Sequence, residues 1–282
     1  CSGELEVARY FLRAGALICL LHIFSATDIH EENVLAAGEY PVPVDLEMLL
    51  QAAEVGEAIE VAETHAVELA GLRISESVIM TGLLPDYFRS AENEVVDRGG
   101  LQNPRGESSD LSWKDINSDS MRPERTMRPA QDLRNIPIVA GQKARLGDYV
   151  DEVVTGFREY AQFLIAWRRD HAADALFEGF AGLRARVIQR PTRFYGLLLE
   201  RLRDHRKMQD GALWSAQLDF VSRVTDWDKD QEPLWDLLRA ERTALARLNV
   251  PHFTSLTDSP VVVDGFGHAA SSDVKPGLTH AR

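Results

Sequence analysis

Residues 28–47, DIHEENVLAAGEYPVPVDLE, place side chains that bind metals or move protons at both ends of one short segment. Asp28, His30 and Asn33 lie at its start, and Asp45 and Glu47 lie at its end. Phosphoryl transfer needs such a set, because one Asp orients the attacking hydroxyl while an Asn and a second Asp hold magnesium at the phosphates. Asp28 and Asn33 are five residues apart, which is the spacing of the protein-kinase catalytic loop. The pattern therefore predicts a magnesium-phosphate site.

The sequence between the two groups predicts how they meet. NVLA and PVPVD have the composition of two short strands joined through Gly38, and Pro41 and Pro43 favour an edge strand. The order Asp-x-His-x-x-Asn is that of lipid kinases, whereas in protein kinases the His precedes the Asp. A second interpretation stays open, because Asp28 and Glu31 also have the spacing of a helix N-cap box, which makes EENVLAAG a short helix.

Hydrophobic periodicity predicts the elements that position this segment. Residues 4–26 carry apolar residues at helical spacing and predict a helix that ends near Ser25. The clearest helical pattern covers residues 149–165. SVIMTGLLP, residues 77–85, has the composition of a strand, and residues 46–70 are ambiguous. Further helices are predicted at about 172–183, 193–206, 211–227 and 231–248.

The composition limits the classes of partner. The 282 residues carry a net charge of −13, which disfavours nucleic acid and anionic membranes. The longest apolar run, residues 14–24, is too short to span a bilayer, and we expect no signal peptide. The two cysteines, Cys1 and Cys19, predict no disulfide framework. We therefore expect a cytoplasmic protein without a membrane span.

The wider context of the opening segment resembles a known family. RAGALICLLHIFSATDIHEENVLAAGEYPVPVDLEMLL is similar to the dehydratase domain of type II lanthipeptide synthetases, the LanM class. That family has an Arg-x-Gly helix, then Asp-x-His-x-x-Asn, a Gly-x-x-Pro turn and Asp-x-Glu. The resemblance continues through further segments along nearly the whole chain: SVIMTGLLP, DRGGLQ, DINSDSMR, NIPIVAGQKARLGDYVDEVVTGFREY, RARVIQRPTRFYGLLL and ERTALARLNVPHF.

The resemblance implies a fold and two activities. The fold is α+β and mostly helical: the C-terminal lobe of a lipid-kinase-like fold, with a short β-hairpin at the active site and a following helical subdomain. With ATP and Mg²⁺, the family phosphorylates Ser and Thr of a ribosomally made precursor peptide that carries a leader. It then eliminates the phosphate to give dehydroalanine and dehydrobutyrine, as in lantibiotic biosynthesis. Zn²⁺ is expected only in a separate C-terminal cyclase domain.

The resemblance also implies roles for the residues of the opening segment. Asp28 is implied to be the base or orienter of the substrate hydroxyl, and His30 to support the phosphate or fix the loop. Asn33 and Asp45 are implied to hold Mg²⁺. Glu47 matches the Glu of the family's Asp-x-Glu and is counted with the catalytic residues, without a defined role.

For the elimination step, the resemblance implies Arg186 and Thr192. A positioned Arg stabilises the departing phosphate, and a hydroxyl adds a hydrogen bond. No base for the Cα proton is assigned. Structural alternatives stay open, because residues 184–206 contain seven arginines, most of them expected on a solvated helix face or in pairs with the many acidic residues. Thr192 also suits the N-cap of FYGLLLERL, and Arg190 is either structural or phosphate-binding.

The resemblance divides the chain into four parts. Residues 1–85 are the lobe core with the catalytic loop and metal-binding hairpin, and residues 86–145 are a long, irregular segment like an activation loop. Residues 146–253 are the helical part that carries the elimination residues. Residues 254–282 are expected to be a linker towards a cyclase, and their DGFGHAA, which partly resembles a dinucleotide fingerprint, is interpreted as linker too.

We expect the chain to be a fragment. Its first Met is Met48, and residues 1–113 contain no Lys, so the Lys that grips ATP is expected in a lobe upstream of Cys1. No Cys after residue 253 is available for the zinc site of a cyclase. We therefore expect the isolated chain to bind Mg-ATP weakly or not at all and to be inactive. Two alternatives are a kinase-like phosphotransferase without elimination and a non-catalytic fragment of a degenerate synthetase gene.

Overall fold

The computed structural model describes residues 1, 3–54, 66–89, 95–102, 108–128, 134–172, 175–219, 234–271 and 274–280. In chain order, its α-helices are α1 (Glu4–Ile23), α2 (Ala66–Ser75), α3 (Val150–Asp170), α4 (Thr192–Leu202), α5 (Gly211–Leu218), α6 (Leu234–Ala246) and α7 (Gly277–His280). None of the helices within these ranges has both the length and the apolar character needed to cross a bilayer.

The strands are short and pair in small antiparallel sheets. In chain order they are β1 (Val34–Ala37), β2 (Tyr40–Pro43), β3 (Ala53–Glu54), β4 (Tyr87–Arg89), β5 (Val95–Asp97), β6 (Ser108–Lys114), β7 (Arg122–Arg128), β8 (Ile138–Val139), β9 (Gln142–Lys143), β10 (Arg184–Val187), β11 (Phe253–Leu256), β12 (Val262–Asp264), β13 (Ala269–Ser271) and β14 (Val274–Lys275). The described residues form two compact units, one from 1–46 and 66–172, the other from 47–54 and 175–280.

Two glycines allow helices α1 and α3 of the first unit to touch backbone to backbone. A Cβ atom on Gly15 would lie 1.9 Å from the carbonyl oxygen of Val153, and one on Gly156 would lie 1.8 Å from that of Leu12. The buried residues of α1 recur every three or four positions, as the periodicity predicts: Val7, Tyr10, Phe11, Ala14, Gly15, Ile18, Cys19 and Leu21. Both predicted helices are confirmed.

The predicted hairpin is also confirmed, because β1 pairs with β2 in antiparallel register. Residues 34–37 form a strand, so the alternative of a short helix ending at Gly38 is wrong. Arg13 of α1 holds the hairpin turn. Its Nη1 lies 2.7 Å from Oε1 of Glu39, and its guanidinium lies 4.0 Å from the ring centre of Tyr40. Hydrogen bonds from Arg13 and Arg9 lower the pKa of Glu39.

Two predictions for residues 77–145 were wrong. SVIMTGLLP contains the 3-10 helix Val78–Thr81 instead of a strand, because the Ser77 hydroxyl accepts the Ile79 N–H at its start and Gly82 adopts a φ of 80° at its end. The described parts of residues 86–145 are not irregular throughout. They contain the antiparallel pairs β4-β5, β6-β7 and β8-β9.

The second unit combines helices with a four-stranded sheet. The sheet has the order β10-β11-β12-β13, and Arg186 on β10 lies opposite Thr254 on β11. Helices α4, α5 and α6 bury a common apolar cluster: Tyr195, Leu198, Leu199, Leu202, Leu218, Leu238 and Leu245. The helices predicted at 193–206 and 231–248 are confirmed. The helix predicted at 172–183 is wrong where the chain is described, because only a 3-10 turn, Glu178–Phe180, forms there.

The linker predicted for residues 254–282 is folded over its described part. It contributes β11, β12 and β13 to the sheet, and β14 pairs with β3. DGFGHAA forms the turn between β12 and β13, where Oδ1 of Asp264 accepts the N–H groups of Phe266 at 2.9 Å and His268 at 2.8 Å. Burial alone would raise the pKa of Asp264, but these hydrogen bonds lower it.

Candidate functional site

The loop that follows α1 gathers the first three candidate residues. Nε2 of His30 lies 3.8 Å from Oδ1 of Asp28 and 3.4 Å from Nδ2 of Asn33. Nδ2 of Asn33 donates to the carbonyl oxygen of Asp28 at 2.9 Å. The Asp28 side chain is 56% exposed, so a substrate hydroxyl can reach its carboxylate. The predicted proximity of these three side chains is confirmed, while their roles stay predictions.

Asp28 has an unusual backbone conformation. Its φ is 64°, in the left-handed region that side-chain-bearing residues adopt at a cost of roughly 1 kcal/mol. The next residue anchors the loop, because Ile29 is buried and its N–H donates to the carbonyl oxygen of Thr81 at 3.0 Å. A residue keeps this left-handed backbone conformation only where the surrounding structure holds it there. At Asp28 the surrounding structure therefore positions a predicted catalytic carboxylate.

Two glycines let neighbouring segments approach this loop closely. A Cβ atom on Gly82 would lie 2.9 Å from the backbone nitrogen of Ile29, and one on Gly100 would lie 2.5 Å from its carbonyl oxygen. His30 forms an isolated β-bridge with Gly99, next to Gly100. The segments SVIMTGLLP and DRGGLQ therefore support the loop from both sides.

A buried Asn continues this support. Nδ2 of Asn135 donates to the carbonyl oxygen of Gly100 at 2.8 Å, and Tyr10 of α1 donates to the carbonyl oxygen of Asn135 at 2.8 Å. Burial raises the pKa of Tyr10, which keeps its phenol protonated for this hydrogen bond. Sequence reasoning did not assign roles to these supporting residues. The only local signals were the Gly-Gly pair and the Asn-x-Pro of NIPIV.

The hairpin brings the chain before Asp45 back to Asn33. The N–H of Val44 donates to the carbonyl oxygen of Asn33 at 3.0 Å, one residue before Asp45. The start of the loop and the end of the hairpin therefore meet at the backbone of Asn33, as the hairpin interpretation requires.

Asn33 and Asp45 suit a magnesium ion by their chemistry. Mg²⁺ prefers oxygen ligands and is commonly held by one or two protein groups together with phosphate oxygens and water. The hydrogen bond from Nδ2 of Asn33 to Asp28 orients the amide so that Oδ1 is the atom left for a metal. No cluster of three or more His, Cys, Asp or Glu side chains in the described ranges could hold a metal.

A second group of candidate residues lines a small cleft in the second unit. Arg186, Arg190 and Thr192 line it from the end of β10 to the start of α4, and Tyr195 and His252 are among the other residues that line it. The two predicted elimination residues thus share one cleft. Two guanidinium groups and a hydroxyl are groups that bind anions, but the cleft as it stands has a volume of only about 10 Å³, which is room for about one water molecule. His252 was not predicted, because its place in NVPHF gives no local signal of a site.

Glu47 belongs to this second group in the structure. Its Oε1 forms an ion pair with Nη1 of Arg186, and the two side chains are 43% and 28% exposed. The sequence predicts Glu47 beside the metal-binding hairpin, two residues after Asp45. The compact unit that contains Glu47 is instead that of Arg186. The pair holds the guanidinium in place beside the cleft.

The structural alternative for Thr192 is wrong. Thr192 is the first residue of α4, and Pro191 occupies the cap position without a side-chain hydrogen bond. The Thr192 hydroxyl therefore does not cap its helix, and Thr192 lines the same cleft as Arg186.

Residues 1–256 match the family described as Domain of unknown function (DUF4135), and the chain belongs to that family. The chain is also similar to the lacticin 481/lactococcin biosynthesis protein LcnDR2 of Lactococcus lactis subsp. lactis, with 18% identity over 265 residues. The similarity covers 91% of this chain and 27% of that relative, so the chain spans little more than a quarter of its length.

Proposed function

We propose that this chain is the dehydratase part of a lanthipeptide synthetase, which phosphorylates Ser and Thr of a precursor peptide and then eliminates the phosphate. The observation that carries the proposal is the convergence of Asp28, His30 and Asn33 on one loop at the foot of a hairpin. The similarity to a lacticin 481/lactococcin biosynthesis protein supports it. The proposed fold is the C-terminal lobe of a lipid-kinase-like protein.

The first proposed step is phosphoryl transfer. Asp28 accepts or orients the proton of the substrate hydroxyl, because its carboxylate is exposed beside His30. His30 keeps the loop in place through its contacts with Asp28 and Asn33. Asn33 and Asp45 would hold Mg²⁺, which when bound with ATP neutralises charge on the phosphates. The group that grips the ATP phosphates is proposed to lie in another part of the synthetase, because residues 1–113 contain no Lys.

The second proposed step is elimination. A base removes the Cα proton of the phosphorylated residue, the Cα–Cβ double bond forms, and the Cβ–O bond breaks to release phosphate. Arg186 stabilises the negative charge of the leaving phosphate, and Thr192 donates a hydrogen bond to it. The common cleft of these two residues supports the assignment.

The test is an intact-mass assay with the full polypeptide that contains this chain. The protein is incubated with ATP, Mg²⁺ and the precursor peptide encoded beside it. We expect the peptide to lose one water for each Ser or Thr modified. A peptide that only gains phosphate would refute the elimination step and leave the kinase alternative. A peptide without any change would contradict both activities.

Matched variants assign the steps to residues. Asp28→Asn should abolish phosphorylation, whereas Asp115→Asn should leave it unchanged, since Asp115 is another Asp in the left-handed region, with a φ of 51°. Arg186→Lys should make phosphopeptide accumulate, whereas Arg184→Lys on the same strand should not. If Arg186→Lys stops turnover without phosphopeptide, the assignment of Arg186 to elimination is wrong.

A further inference from the structure

A buried carboxylate in the second unit lies behind the cleft that contains Arg186 and Thr192. The side chain of Glu241, on α6, is fully buried. Nε of Arg190 donates to its Oε1 at 2.9 Å, and Nη2 of Arg190 lies 3.4 Å from its Oε2. The hydroxyl of Tyr195 donates to the same Oε1. Burial and the Glu241 carboxylate raise the pKa of Tyr195, so the phenol remains a donor.

The two partners of Glu241 flank Thr192 in the sequence. Arg190 lies in the turn between β10 and α4, two residues before Thr192, and Tyr195 lies in the first turn of α4, three residues after it. Glu241 therefore ties this turn to α6 from both sides of Thr192. Arg186 lies on β10, one residue before the strand ends at Val187 and the turn begins.

We propose that Glu241 is a positioning residue for phosphate elimination, which acts through Arg190 and Tyr195 to hold Thr192 and Arg186 in their reactive arrangement. This inference rests on the proposed function. It also assigns different tasks to the two arginines of the cleft. Arg190 is a fixed support, and Arg186 is the guanidinium that receives the phosphate.

The partners of the two arginines give the reason for this division. Arg190 is paired with a carboxylate that is fully buried and is itself only 17% exposed. Its guanidinium also lies over the ring of Phe194, at 5.4 Å from the ring centre. Arg186 is paired with Glu47, which is 43% exposed and can turn towards water when another anion arrives. A phosphate can therefore displace Glu47 from Arg186 more easily than it can displace Glu241 from Arg190.

Fold stability alone does not account for Glu241. A buried ion pair adds little net stability, and apolar residues of similar size commonly serve as well. A fully paired polar network does, however, fix one arrangement of its members. We therefore infer that Glu241 fixes the geometry of the turn between β10 and α4.

The test uses the full polypeptide that contains this chain with two substrates, the precursor peptide and a synthetic precursor that already carries phosphoserine. Glu241→Gln keeps the side-chain volume but removes the charge. We expect its kcat for elimination to fall about tenfold or more, with KM for the phosphopeptide and the phosphorylation rate within about twofold of wild type. Tyr195→Phe, which keeps the ring, should lower the same kcat less, and Glu200→Gln on the surface of α4 should change neither step.

The variants separate this inference from the function on which it rests. Wild-type protein that converts neither substrate refutes the proposed function. If Glu241→Gln and Tyr195→Phe eliminate phosphate as fast as the wild-type protein does, the positioning role is wrong while the proposed function stands. If Tyr195→Phe slows phosphorylation and elimination equally and also lowers the Tm, the hydrogen bonds of Glu241 only stabilise the fold, and the inference is wrong as well. Phosphopeptide that accumulates in a variant at the wild-type rate of phosphorylation supports it whatever the Tm, because a protein that is merely destabilised would lose both steps.

Discussion

The close contact between α1 and α3 predicts that two Gly→Ala substitutions, at Gly156 and at Gly71, change the free energy of unfolding in opposite directions. Gly156 and Gly71 both lie inside helices, so Ala at either position gains about 1 kcal/mol of intrinsic helix stability. Their surroundings differ. A Cβ at Gly156 would lie 1.8 Å from the carbonyl oxygen of Leu12, whereas a Cβ at Gly71 would meet nothing within 4 Å.

The size of the effect follows from the distance. A separation of 1.8 Å is 1.6 Å short of the 3.4 Å at which ordinary contact begins, and the obstacle is backbone that cannot rotate away. The helices must separate, and overpacking of this kind costs about 3 kcal/mol at the upper end of its range. We expect Gly156→Ala to lower the free energy of unfolding by about 2 kcal/mol. Gly71→Ala should raise it by up to about 1 kcal/mol.

Urea titrations followed by circular dichroism at 222 nm measure both changes. The two substitutions lie in the same unit, so the comparison concerns one unfolding transition. If Gly156→Ala proves as stable as Gly71→Ala, the close approach of α1 and α3 is wrong. An unfolding slope that differs between the variants would indicate a changed unfolded state instead.

Three further predictions concern other parts of the molecule. Asp264→Asn should lower the free energy of unfolding at pH 7 by about 1 kcal/mol, because two N–H groups lose a charged acceptor. Folding lowers the pKa of Asp264 from 3.8, so the stability difference between wild type and Asp264→Asn is fully present above pH 3.8. It is lost as the pH falls through the lower pKa of the folded state. Urea titrations that find the same stability difference at every pH would contradict this prediction. Gly100→Ala should slow phosphorylation by roughly 100-fold while the far-ultraviolet spectrum stays unchanged, because its Cβ displaces the loop at Ile29; a normal rate in the mass assay contradicts this. On the proposed function, this chain alone should bind Mg-ATP weakly or not at all, because residues 1–113 contain no Lys to grip the ATP phosphates, and tight binding in calorimetry would contradict this.

Local patterns predicted the elements that carry the first candidate residues. The periodicity of α1 and α3, and the prolines and Gly38 of the hairpin, depend on neighbours close in sequence. Composition failed where a few contacts decide the structure. In SVIMTGLLP the Ser77 cap and the left-handed Gly82 outweigh the strand-forming Val and Ile.

The long-range parts of the site could not be predicted in the same way. Gly100 reaches the loop at Ile29 from about 70 residues further along the chain, and Asn135, another 35 residues on, hydrogen-bonds to Gly100; no local pattern encodes such contacts. The ion pair between Glu47 and Arg186 joins residues 139 positions apart, and sequence patterns could not predict it either. The resemblance to a family supplied candidate residues, but the contacts of each one came from the structure.

The ion pair between Glu47 and Arg186 has a consequence for discrimination between peptides. An acidic side chain of a precursor peptide offers Arg186 the same kind of charge that Glu47 already supplies, so exchange of one carboxylate for the other yields little free energy. A phosphate group carries close to two negative charges and more acceptor oxygens, and it therefore gains on exchange. On the proposed function, the ion pair with Glu47 makes Arg186 bind phosphorylated residues in preference to the Asp and Glu of the same peptide.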